Sequence, residues 1–215
     1  MLPRMDTFKE IIFTPRIIAF NQSFVPLGTR SKQYPFAVVW HEAISGRSKE
    51  DIVSAFYAFL LANRDTTNIT IWLDNCSSQN KNWTLIYFLI FIVNSSVIAA
   101  ESVILKYFQS GHTFMAADSF HHQVEMSLIR MKKVYDFNDF IQAVSNANSS
   151  KVNVHSMKIG DFFKFTDYIS KHKLKNMNPR VYLKDIVSLK FERGKKILSY
   201  KTNFESAYTD FINLF

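Results

Sequence analysis

The stretch from Asn68 to Ser110 constrains the fold more than any other. It reads "NITIWLD", then a polar collar "NCSSQNKN", then "WTLIYFLIFIV", and after a short break "SVILKYFQS". The first and last pieces are rich in β-branched and aromatic residues and read as strands. The middle piece is apolar all round, which is the pattern of a helix packed within a core. The first strand is mostly apolar and follows a helix, so a central position covered on both faces is expected. A membrane span is not: the apolar window Leu85–Leu105 is broken by Asn94–Ser96 and by Glu101, whereas a span needs roughly 20 predominantly apolar residues.

The flanking sequence continues the alternation. "IIFTPRIIAFNQSFVPL" reads as extended segments broken by Pro15 and Pro26, and "YPFAVVWHE" as a strand. "SKEDIVSAFYAFLLANR" is a helix, with Ser48 as N-cap and Asp51 three residues on as an aspartate version of a capping box. "SFHHQVEMSLIRMKK" and "DFNDFIQAVSNAN" read as helices, "KVNVHSM" as a short strand, "IGDFFKFTDYISKH" as a helix and "VYLKDIVSLKFER" as strand material. Early strands followed by alternating helices and strands match an α/β fold: a mixed central sheet with helices on both faces. This is the element order of the ribonuclease H-like fold. The expected division is a core over residues 1–135, with a short first strand, and a small basic α+β extension over residues 136–215.

Charge is concentrated. Between Lys151 and Lys201 there are 13 Lys/Arg against 4 Asp/Glu, a local +9 in a chain of net charge +8. Such a segment is a footprint for nucleic acid, with a solvated lysine-rich surface as the equal alternative. Within it, Lys171, Lys173 and Lys175, and then Arg193, Lys195 and Lys196, are the candidate phosphate contacts. The single cysteine, Cys76, excludes a disulfide framework and a multi-cysteine zinc site. A reducing, intracellular setting is expected, including the nucleus, with no membrane association; self-association is left open.

Asp74 stands where an apolar strand meets the polar collar. Ligands of open α/β sheets bind at the carboxyl ends of strands. Carboxylates gathered there can hold two divalent ions for phosphoryl transfer. The bland alternative is that Asp74 caps the following helix. Asp6 precedes the first extended segments, and Asp118 begins the helix after the last of the alternating strands. Asp118, His122 and Glu125 are spaced four and three apart and share a helix face, which favours His122 over His121 as a ligand. His112 reads either as a metal or phosphate ligand or as a local loop bond. Gln79, Asn80 and Lys81 are candidates for contact with a nucleic-acid backbone; turn formation and capping explain the amides equally well. Glu42 reads as an edge-strand charge, with an accessory acid as the weaker option.

The wording of these segments resembles an uncharacterised domain family associated with mobile elements. Its motifs run approximately D-x-C-x-G-Q-N-K-N, G-H-[ST]-x-x-x-x-D-x-x-H-x-x-[IV]-E and D-[LM]-Q-x-x-x-x-x-P. Asp74, Cys76, Gln79, Asn80 and Asn82 match the first. Gly111, His112, Asp118, His122 and Glu125 match the second, and Asp6 and Pro15 the third. Ser78 stands where glycine is usual, and Thr7-Phe8 replaces the usual hydrophobic-Gln pair. The resemblance implies a ribonuclease H-like core of transposase or integrase type. Asp6, Asp74 and Asp118 would be its catalytic acids, with His122 and Glu125 as further ligands of two Mg²⁺ or Mn²⁺ ions. The substrate would be nucleic acid, DNA before RNA. The alternative is a domesticated copy that keeps the fold and binds nucleic acid without cutting it.

Overall fold

The computed structural model describes residues 17–28, 32–76, 80–108, 115–165 and 181–211. It is a mixed α/β protein. The described strands form two sheets, one of three strands and one of five, where a single central sheet was expected. They belong to two compact units, each made of two separate pieces of chain: residues 1–59 with 114–162, and residues 60–113 with 163–215.

The first unit holds β1 (Ala19–Phe24), β2 (Phe36–His41) and β5 (Asn153–Ser156) in the order β1-β2-β5. β1 runs antiparallel to β2 and β5 runs parallel to it. Alternation along β2 sends its residues to two different layers. Ala37 and Val39 pack with Phe120 and Val124 of α3 (Ala116–Met131) and with Phe140 and Val144 of α4 (Phe137–Ser145). Phe36 meets Phe59 of α1 (Lys49–Ala62) on the other face, where Phe24 also stacks on Phe59 at 4.1 Å and meets Phe56 edge-on. This sheet therefore carries helices on both faces, as the binary pattern requires.

α1 starts as its sequence predicts. The Asp51 amide donates to Ser48 Oγ at 3.3 Å, and the Ser48 amide donates to Asp51 Oδ2 at 2.6 Å. Ser45 Oγ also donates to Asp51 Oδ1, so the carboxylate is fully engaged although only 7% exposed.

The second unit is built on β3 (Asn68–Leu73), α2 (Trp83–Val93) and β4 (Ser102–Tyr107), followed by β6 (Ser188–Glu192), β7 (Leu198–Lys201) and β8 (Thr209–Phe211). The order is β3-β4-β6-β7-β8. β3 and β4 are parallel, as a connection through a helix demands; the remaining pairs are antiparallel. α2 packs on β4 and β6, and its residues are buried except half-buried Trp83 and exposed Phe91.

Two readings of the sequence need correction. β3 is at the edge of its sheet among the described strands, and only one of its faces is covered: Ile69, Ile71 and Leu73 are buried, while Asn68 and Thr70 are exposed. The polar residues at every second position carry that signal, which the overall apolar content masks. "IGDFFKFTDYISKH" opens with one short 3₁₀ turn, Ile159–Asp161, and has no regular element from there through residue 165, where a helix was expected. The rest of that segment lies outside the described residues. β7 and β8, which complete the second sheet, follow a stretch of sequence with little apolar periodicity. No helix among the described residues is long and apolar enough to cross a membrane.

Candidate functional site

The carboxyl ends of β3 and β4 lie side by side, with Leu73 opposite Tyr107 and the Phe108 amide donating to the Leu73 carbonyl at 3.0 Å. Asp74 is the first residue beyond β3. Its Oδ1 accepts from the Cys76 amide at 3.3 Å and, through a short contact, from Asn80 Nδ2. The Asn80 amide donates back to the Cys76 carbonyl at 2.9 Å. Asp74 thus braces its own loop and does not cap α2. That duty falls to Asn82, whose Oδ1 accepts from the Leu85 amide at 2.9 Å.

Lys81 is only 5% exposed. Its ammonium donates to the Lys184 carbonyl at 3.1 Å and stands 4.7 Å from the centre of the Tyr107 ring. Burial pushes its pKa below the usual lysine value, with nearby Asp185 pulling the other way. Tyr107, 1% exposed, donates its hydroxyl to the Asn80 carbonyl at 3.0 Å, and burial raises its pKa. Asp74, Asn80, Lys81 and Asn82 are therefore tied together by one hydrogen-bonded loop that rests on β4. Sequence spacing alone could not show which of these polar residues would be buried.

Arg193 and its neighbours have different surroundings. The Arg193 guanidinium donates to the carbonyls of Ala100 at 3.1 Å, Ser95 at 2.9 Å and Ile98. It closes the connection between α2 and β4. Lys195 donates to Glu192 at 2.8 Å, and Lys190 stands 2.9 Å from the same carboxylate. The two lysines hold the Glu192 pKa below its usual value, and Glu192 raises that of Lys195. Lys196 is exposed.

In the first unit, Asp118 stands in the first turn of α3 and its Oδ2 accepts from the Met115 amide at 2.8 Å. His122 Nδ1 lies 3.9 Å from Glu125 Oε2, both side chains well exposed. The residue that sequence reasoning set aside is the one with the richer environment: His121 Nε2 lies 3.2 Å from Ser23 Oγ, and that hydroxyl donates to Asn21 Oδ1 at 2.8 Å. Desolvation lowers the His121 pKa; Asp118 opposes that and Arg47 adds to it. No signal in the local spacing pointed to Ser23, which reaches α3 from β1.

Asp6, Gln79, His112, Lys171, Lys173 and Lys175 lie outside the described residues. Among the described residues, no three His, Cys, Asp or Glu side chains come together as a metal site.

A family model described as "Domain of unknown function (DUF7869)" matches residues 48–205. The chain belongs to this family. The match to DUF7869 takes in α1, the whole of the second sheet through β7, α3, α4 and β5. No curated protein and no solved structure matches the chain significantly.

Proposed function

We propose that this DUF7869 chain is a transposase-derived, ribonuclease H-like phosphoryl transferase that acts on nucleic acid with Mg²⁺ or Mn²⁺. The observation that carries the reading is Asp74 at the carboxyl end of β3, beside the parallel end of β4, the position at which open α/β sheets bind ligands. The donor chemistry fits a hard cation. Asp74 Oδ2 and Asp118 Oδ1 each accept no hydrogen bond from a described residue, and Mg²⁺ takes a few carboxylate oxygens together with waters and substrate phosphate. Asp74 would be an ion ligand in the second unit, and Asp6 and Asp118, with His122 and Glu125 on the same helix as Asp118, would be ligands in the first. When bound, such ions activate the attacking oxygen and stabilise the leaving one.

The chain's own residues prepare that role. Asn80 and the Cys76 amide occupy Asp74 Oδ1 and so hold the carboxylate, leaving Oδ2 without a donor among the described residues. Lys81 and Tyr107 hold the loop to β4.

The test is cleavage or strand transfer of labelled single-stranded and duplex oligonucleotides in Mg²⁺ or Mn²⁺. Asp74→Asn and Asp118→Asn should each lower activity at least 100-fold with unchanged circular dichroism. Intact wild-type protein that leaves every substrate uncut would overturn the reading.

A second reading, a nucleic-acid-binding module without catalysis, is favoured by Asp118 itself. Its carboxylate already has a complete structural reason, as acceptor for the Met115 amide at the start of α3. Mn²⁺ binding by calorimetry separates the two. A catalytic centre takes up the ion and loses it in Asp74→Asn, whereas a binding module takes up none.

A further inference from the structure

The face of the five-stranded sheet opposite α2 carries chemistry that the strand-end site does not use. Register and alternation place Trp72, Lys106, Ser188 and Lys201 in one row across β3, β4, β6 and β7, and Ile104, Lys190, Ser199 and Asp210 in the next. The opposite face holds the buried residues Ile71, Leu105, Leu189 and Leu198, on the α2 side. The loop after β7 returns over this face and buries Ser188 and Ser199, while Trp72, Lys106 and Lys201 stay half-exposed. Phe204 lies 5.9 Å from the Trp72 ring and is 43% exposed, and Tyr208 donates or accepts at Ser188 Oγ over 2.8 Å. Phe108 meets Trp72 at 4.9 Å.

Ammonium groups are interleaved with these rings. Lys106 Nζ lies 5.1 Å from the Trp72 ring, and Lys201 Nζ 4.6 Å from that of Tyr208. Lys190 is neutralised by Glu192, and Asp210 accepts from Ser199 at 2.6 Å. Lys106 and Lys201 have no such carboxylate partner among the described residues. A purely apolar patch would suit another protein surface. Aromatic rings alternating with uncompensated ammonium groups on a sheet face suit a flexible polyanion whose units carry planar rings. A duplex hides its bases from such a face and presents only phosphates; a single strand offers both.

We propose that this face binds single-stranded nucleic acid, with bases stacking on Phe204 and Trp72 and phosphates meeting Lys106 and Lys201. The proposal rests on the nucleic-acid reading above and adds the strandedness of the ligand and its seat.

The experiment titrates the full chain into fluorescein-labelled 12-mer oligo-dT, 12-mer oligo-U and a mixed-sequence 12-base-pair duplex, by anisotropy over a range of NaCl concentrations. Oligo-dT or oligo-U should bind more tightly than the duplex and quench tryptophan emission, and Trp72→Phe should remove the quench. Phe204→Ser should weaken single-strand binding at least fivefold. Lys106→Gln and Lys201→Gln should each flatten the salt slope by roughly 0.7. Circular dichroism confirms folding of each variant, and the two glutamine variants retain side-chain length, so the test survives loss of either aromatic variant. Preference for oligo-U over oligo-dT would identify RNA as the source of the strand and the reverse DNA; both support the face. Tight binding of duplex alone, or single-strand binding unchanged in Lys106→Gln, Lys201→Gln and Phe204→Ser, would overturn the proposal while leaving the nucleic-acid reading intact. No binding to any oligonucleotide at low salt would overturn both.

Discussion

The Lys81 ammonium stands 4.7 Å above the ring of Tyr107, and the hydroxyl of that same tyrosine holds the carbonyl of Asn80, the residue before the lysine. One buried aromatic side chain thus anchors two consecutive residues of the strand-end loop. The arrangement keeps a lysine away from water, which lowers its pKa. Between that lowered value and the ordinary value near 10.5, the unfolded chain binds the proton and the folded chain does not, so this group makes stability rise with pH. The raised Tyr107 pKa acts in the opposite sense, but only above about 10, where the unfolded tyrosine ionises first. Urea denaturation at pH values approaching 10.5 from below should therefore show wild type gaining stability relative to Lys81→Met as pH rises. A difference that stays flat would mean the ammonium is solvated.

Asp74 and Asn80 should behave as one unit. Each removes a hydrogen bond from the same loop, and a bond to a charged acceptor contributes about 1.5–3 kcal/mol. Asp74→Ala and Asn80→Ala should each destabilise by about 1–2 kcal/mol, given the half-buried setting. The double variant should fall short of their sum by about 1 kcal/mol. Strict additivity in a denaturation cycle would show that the two side chains do not share an interaction.

Arg193 offers a sharper contrast between charge and geometry. Its guanidinium bridges three carbonyls of the segment between α2 and β4. Arg193→Lys keeps the charge but loses the planar fork. Both Arg193→Ala and Arg193→Lys should lower stability, by roughly 2 kcal/mol and 1 kcal/mol respectively. Neither should change the salt dependence of oligonucleotide binding. If Arg193→Lys is as stable as wild type while Arg193→Ala loses salt dependence, the residue is a phosphate contact and not a staple.

His121 provides a pH signature in the first unit. Its pKa is lowered by desolvation beside Ser23, so below about pH 6.5 the unfolded chain takes up a proton that the folded chain resists. Stability should fall as pH drops through that range, and His121→Gln should lessen the fall. Thermal melts from pH 5 to 8 in which His121→Gln keeps the whole fall would contradict the environment described for His121.

The layers of this protein were legible because its apolar runs are long and α1 carries a Ser–Asp cap. The Ser48–Asp51 box, the all-apolar α2 and the strand on either side of it could be read directly from residue type and spacing. Sheet membership was not. β5 joins β2 and β6 joins β4 across separations that no local pattern encodes, and so a single sheet was expected where the described strands make two. At the candidate site, the sequence pointed to the right loop but not to the duties within it. Whether a given amide caps a helix or braces a carboxylate is decided by a turn of backbone, not by residue type. Lys81 reads as a surface charge until the Tyr107 ring and the Lys184 carbonyl are placed around it. His121 and His122 are neighbours in sequence, and only the partner strand carrying Ser23 distinguishes them.

Each compact unit is stitched from two stretches of chain that are far apart in sequence. During synthesis the first unit has all its pieces once residue 162 has emerged, while β3, α2 and β4 of the second must wait for residues 163–215. Until β6 arrives, the flank of β4 that it will occupy is an unpaired row of amides and carbonyls beside an exposed apolar helix. At a translation rate of about 5–20 residues per second that interval lasts several seconds. Ribosome-bound chains ending between β4 and β6 therefore present an open strand edge that the finished sheet closes.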